Sequence, residues 1–256
     1  MRKFNRVFTL LLTTKKQPTI TKKILSLTFS LSTFFWLIGW HQLLTQNTSA
    51  QTLTARQQLS WQVLFEENKP PVPKKPGIDR NPARPIESSK LCAIAPEPAP
   101  QEIWSDRPLF VWQAEVGKIE VRSPGRKNAL WQQPVTAAQR SVLYGGDEAL
   151  QPGETYNWVS FGRQNKRLFV VRFKVMDAEK RDGIKTQLQS LEAELKAKGA
   201  TGEEIAMHRA QYFAKQQLWS DFWREVFSVE NPSTALTEMV KTQTTQLCLK
   251  ASEQNS

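Results

Sequence analysis

Leu150-Gln151-Pro152-Gly153-Glu154-Thr155-Tyr156-Asn157-Trp158 is the stretch on which the fold turns. Pro152 presets a turn dihedral and Gly153 tolerates a positive one. A tyrosine placed just after such a turn, at the head of a strand, can send its hydroxyl back to the backbone upstream. That bond pins a crossover between two sheets. Pro152, Gly153 and Tyr156 therefore read as a structural tyrosine corner. Trp158 lies two residues on, on the same strand face, and so enters the core.

Strand signals continue in both directions. Thr155–Phe161 (TYNWVSF) ends at Gly162. Leu168–Met176 alternates, with Phe169, Val171, Phe173 and Val175 on one face and Val170, Arg172 and Lys174 on the other. Upstream lie Leu109–Gln113, Lys118–Arg122, Ala129–Gln133 and Arg140–Tyr144, each bounded by Pro, Gly or Ser. A further strand near Cys92–Ile94 brings the count to about seven, the number of a small β-sandwich. Period-2 alternation with one polar face indicates antiparallel pairing. The expected fold is α+β: an immunoglobulin- or fibronectin-III-like antiparallel β-sandwich over 91–176, followed by a helical hairpin. Trp112 and Trp158 should face each other in its core.

After Met176 the period becomes helical. Ile184, Leu188, Leu191 and Leu195 form one stripe, and Gly199 is placed to end that helix. Thr201-Gly202-Glu203-Glu204 is a capping box. It opens a second helix expected to run through Phe213 and Leu218 to Phe227, with Trp219 and Trp223 one turn apart. Asn231-Pro232-Ser233 then precedes a third stretch, Thr234–Cys248. The helical region is 177–248.

The chain begins differently. Residues 1–50 carry seven basic side chains (Arg2, Lys3, Arg6, Lys15, Lys16, Lys22, Lys23) and no acid. An uncharged apolar run follows at 24–40, and Thr48-Ser49-Ala50 suits cleavage after Ala50. This is a signal peptide, or a membrane anchor through 24–40 if it is not cleaved. Either way, the rest of the chain is exported to the periplasm or the cell exterior. Residues 51–90 read as a Pro-rich basic linker of extended type; its opening, 51–65, fits a short strand or a tether. Leader and linker hold nearly all of the +11 formal charge, and 91–256 is close to neutral. The basic face that nucleic-acid binding requires is therefore not expected. The two cysteines, Cys92 and Cys248, both lie in the exported part. An even count in an oxidising compartment favours a bridge, with two buried free thiols as the alternative.

The order of parts resembles the cyanobacterial exported family called domain of unknown function 928. The likeness rests on the Pro/basic spacer before Cys92, on Arg107–Trp112 (RPLFVW), on the Leu150–Trp158 turn, on Ala210–Val226 (AQYFAKQQLWSDFWREV) and on the late Cys248. It spans roughly 65–248. Tyr212-Phe213-Ala214 and Leu218-Trp219 match the tetratricopeptide-like rhythm of that family's second helix. The long leader and Lys-rich spacer depart from the pattern. The resemblance implies export and this layout and carries no catalytic activity.

Chemistry is sparse. His208 is the only histidine after residue 50, too few ligands for a zinc site. No nucleophile elbow, P-loop or dinucleotide fingerprint accompanies it. Glu192 and Glu194 meet Lys196 and Lys198 at i+4, and Glu203 and Glu204 sit in a first helical turn, so both pairs serve helices. No enzyme, metal or cofactor is expected. Trp104 and Trp131 have no evident core place and are candidate binding residues. The expected function is an exported, non-enzymatic adaptor or scaffold for an unknown envelope protein, with a binding groove between sandwich and hairpin. The alternative is a glycan- or cell-wall-binding module using exposed Trp104 and Trp131.

Overall fold

The computed structural model describes residues 59–74, 76, 91–98 and 101–254. The leader 1–50, its cleavage position after Ala50 and most of the linker lie outside the described residues. The described chain is α+β, with two β-sheets and five helices. Strands β1 (Cys92–Ala95), β3 (Leu109–Gln113) and β6 (Ser141–Leu143) form an antiparallel sheet in the order β1-β3-β6. The second sheet is mixed. Its members are β2 (Gln101–Ile103), β4 (Lys118–Arg122), β5 (Trp131–Pro134), β7 (Thr155–Phe161) and β8 (Arg167–Val175), in the order β2-β8-β7-β4-β5. All its neighbours are antiparallel except β2 and β8.

The three-stranded sheet feeds two cores. Residues 109–112 are all buried, which is why this strand reads as a continuous apolar run. Phe110 and Trp112 face the five-stranded sheet, where they join Ile119, Val121, Trp158, Phe169, Val171 and Phe173. Leu109 and Val111 point the other way, with Cys92 and Ile94, into a core made with the helices. Phe110 lies 5.1 Å and Trp112 lies 6.3 Å from Trp158, so the expected tryptophan pair does meet.

The structure adds one strand and shifts another. β2 is only three residues long and pairs in parallel with β8, too short for alternation to betray it. β5 starts at Trp131 rather than Ala129, which leaves Leu130 outside the strand. Pro134 ends β5, and an edge strand tolerates the missing N–H.

Five helices share the core on the outer face of β1 and β3. They are α1 (Trp61–Glu67), α2 (Ala178–Ala197), α3 (Gly202–Lys215), α4 (Trp219–Val226) and α5 (Thr234–Glu253). Two caps are those the sequence predicts. Gly199 sits at φ +77°, with its N–H and that of Ala200 bonded back to Lys196 and Leu195. At α3, Glu204 N–H donates to the Thr201 hydroxyl, and Thr201 N–H donates to the Glu204 carboxylate.

The expected second helix to Phe227 is in fact two. Gln217 takes φ +58°, and the N–H groups of Gln217 and Leu218 close on Ala214 and Phe213. This is the same terminal motif as at Gly199, but with a side chain where glycine is usual. The break lets α4 turn and bury Phe222, Trp223 and Val226 in the core that holds Phe213.

The opening of the linker also differs from expectation: residues 61–67 are helical and packed. Ser60 caps α1 by accepting from Val63 N–H at 3.2 Å. Trp61, Leu64 and Phe65 form an i, i+3, i+4 stripe buried in the helical core. Pro70, Pro73 and Pro76 are buried at the three-residue period of polyproline II. Within the span 51–90, Trp61–Glu67 is thus a capped and packed helix rather than an extended spacer.

Candidate interaction surface

Cys92 and Cys248 form a disulfide, with Cα atoms 5.7 Å apart and 156 residues of sequence between them. It ties β1 to α5 inside the helical core. The tyrosine corner is present too. Gln151 N–H donates to the Tyr156 hydroxyl at 2.8 Å, and Gly153 takes φ +81°, a dihedral a Cβ would strain.

Trp104 sits where helices meet sheets. Its N–H and that of Ser105 both donate to the buried Asp221 carboxylate, at 2.7 and 2.8 Å. Its indole N–H donates to the Arg181 carbonyl at 3.1 Å, and the Arg181 guanidinium donates to the Trp104 carbonyl at 2.7 Å. The ring lies 5.5 Å from Phe213. Arg181 also pairs with Asp106 at 2.7 Å, and Arg224 donates to the Arg107 carbonyl at 3.2 Å. Complete burial raises the Asp221 pKa to about 6, against the pull of its two amide donors and Arg224. These contacts join the loop at 104–107 to α2 and α4.

Trp131 joins the other core. It stacks on Phe110 at 6.0 Å and meets Tyr144 edge-on at 5.1 Å. The structure therefore does not bring Trp104 and Trp131 together; each ring has neighbours in a different cluster.

His208 is half-buried on α3. Beside it, Arg209 donates to Glu225 at 2.8 and 2.9 Å and pairs with Glu192 at 3.4 Å. The hydrogen bonds to Glu225 hold the Arg209 pKa above its ordinary value despite burial. Glu192–Lys196 and Glu194–Lys198 form the predicted i, i+4 pairs, at 2.7 and 2.5 Å. Among the described residues, no group of three or more His, Cys, Asp or Glu side chains is arranged to hold a metal ion.

An open cleft lies at the tyrosine-corner end. It has a volume of about 760 Å³ and is lined by Ser123 and Leu130 on one side and by residues from Tyr144 to Tyr156 on the other. Asp147, Glu148 and Glu154 line it and are exposed. Tyr144 is buried, and burial pushes its phenol pKa up; nearby Arg107 opposes that shift, while Asp147 and Glu148 add to it. Arg107 donates to the carbonyls of Gly146 and Asp147 at 2.7 and 3.2 Å, which fixes the acidic loop. Gly146 is required by close approach, because a Cβ there would fall 2.3 Å from the Tyr144 hydroxyl. Sequence reading passed over this cleft. Its one signal was Asp147 and Glu148 directly after a Gly-Gly turn, and turn acids are usually only solvated.

No family model matches the chain, and no curated protein or solved structure matches it either.

Proposed function

We propose that this is an exported envelope protein that works as an adaptor, binding another envelope protein without catalysing a reaction. The observation that carries the reading is the Cys92–Cys248 bridge. It locks sheet and helices together, and it belongs in an oxidising compartment. The basic leader with its apolar run at 24–40 supports the same location, by cleavage after Ala50 or by retention as an anchor.

Within this reading the two sheets form an immunoglobulin-like sandwich. Its support is the strand order, β1-β3-β6 facing β2-β8-β7-β4-β5, and a tyrosine corner at the start of β7. Helices α2 and α3 act as a tetratricopeptide-like hairpin; Gln187 meets Tyr212 and Glu192 meets Arg209, as antiparallel neighbours would. The layout keeps the likeness to domain of unknown function 928 as part of the proposal. Glycan binding through Trp104 and Trp131 gains no support, since packing accounts for both rings.

Affinity purification of the tagged full chain from its native envelope in mild detergent tests the proposal. A stoichiometric protein companion is expected. A bait without companion that sediments with insoluble wall or polysaccharide would overturn it.

A further inference from the structure

We propose that the cleft at the tyrosine-corner end is a docking site for an extended, Lys- or Arg-bearing segment of the partner protein. The inference rests on the adaptor reading and names the site and the chemistry of its occupant. Three kinds of observation converge there.

The first is charge. Asp147, Glu148 and Glu154 come from one continuous loop between β6 and β7, and all three line the cleft. Among the described residues, no Lys or Arg lines it. Arg107, a cation close to Tyr144, already donates through its guanidinium to the loop carbonyls at 146 and 147. Carboxylates held this way complement ammonium and guanidinium groups.

The second is Tyr144. Its side chain is 4% exposed, yet it lines the cleft. Among the described residues the buried side-chain polar atoms without a partner are the indole nitrogens of Trp112 and Trp158, so the Tyr144 hydroxyl is no sealed orphan. At the cleft wall it can accept an N–H from an occupant. Gly146 lets the loop close over that phenol, so the arrangement is a built one.

The third is shape. β5 and β6 are terminal strands of the two sheets, and the cleft lies between the residues leading into β5 and those leaving β6. Terminal strands present unpaired backbone groups that suit an extended partner. Leu130, 55% exposed, offers an apolar surface to the methylene stems of Lys or Arg.

The test uses the full chain and a fluorescent hexapeptide alternating Arg and Leu, with a Gln/Leu hexapeptide as neutral control. Saturable binding of the charged peptide only is expected. It should weaken about tenfold in Glu148→Gln/Glu154→Gln, since each exposed pair contributes modestly. Tyr144→Phe keeps the ring and should weaken binding severalfold. Equal binding of the neutral peptide, unchanged binding in the double variant, or no binding at millimolar peptide would overturn the proposal. So would competition by spermidine as strong as by the peptide, which marks a small-cation site. Self-association of the free chain that the double variant abolishes would reassign the cleft to a second copy. The two proposals can fail separately: a companion that still co-purifies with the double variant leaves the adaptor and removes this site. A bound peptide without any companion does the reverse.

Discussion

Asp221 is the residue with the most at stake for its size. One carboxylate accepts two backbone N–H groups from a loop 116 and 117 residues away in sequence. Its pKa is raised from 3.8 to about 6. In the unfolded chain it ionises near 4, and in the folded protein near 6. Between those values the folded state holds the extra proton, so this group's share of stability falls as pH rises, then stays level above pH 6. We expect the stability of wild type relative to Asp221→Asn to drop by on the order of 2–3 kcal/mol between about pH 4 and pH 6. Urea unfolding at several pH values reads this directly; parallel profiles would refute it. Tyr156 gives a simpler case. Tyr156→Phe removes the acceptor for Gln151 N–H and should cost about 1 kcal/mol with the fold unchanged, by the same assay.

At the scale of elements, the legible features were local ones. The tyrosine corner, the alternation of β8, the Gly199 end of α2 and the Thr201–Glu204 box each lie within a few residues, where turn chemistry and periodicity act. What stayed hidden was set by distant partners. Gln217 breaks a helix without glycine or proline, because α4 finds burial by turning there. β2 exists because β8 offers an edge. The cleft is assembled from two loops that only the fold brings together. α1 was ambiguous because the apolar residues Trp61, Val63, Leu64 and Phe65 beside a proline tract carry no period long enough to read, yet Leu64 is fully buried against the helices. Leu64→Ala should therefore cost about 3 kcal/mol in chemical denaturation; a cost near zero would return 59–67 to the linker. The bridge closes a far longer loop, with a sequence separation of 156. Cys92→Ser/Cys248→Ser should lose about 3–5 kcal/mol, the upper value being the loop-entropy limit, and Tm by calorimetry should fall accordingly.

For the whole molecule, β1 and β3 stand between two cores and are buried on both faces, so sheet packing and helix packing share the same strands. A disulfide on β1 then fastens the last helix to the center of that arrangement. The body presented is covalently closed, with an acidic cleft at the end where the sheets are open. The role proposed for it is to position a partner outside the cytoplasm. The claim can be tested in the native cell with a membrane-impermeant maleimide, applied to intact and then to lysed cells before and after reduction, with the peptides of Cys92 and Cys248 read by mass spectrometry. The account predicts both cysteines unlabelled until a reductant is added, in intact and lysed cells alike. Labelling of both thiols on lysis without reductant would show a reduced protein and contradict it.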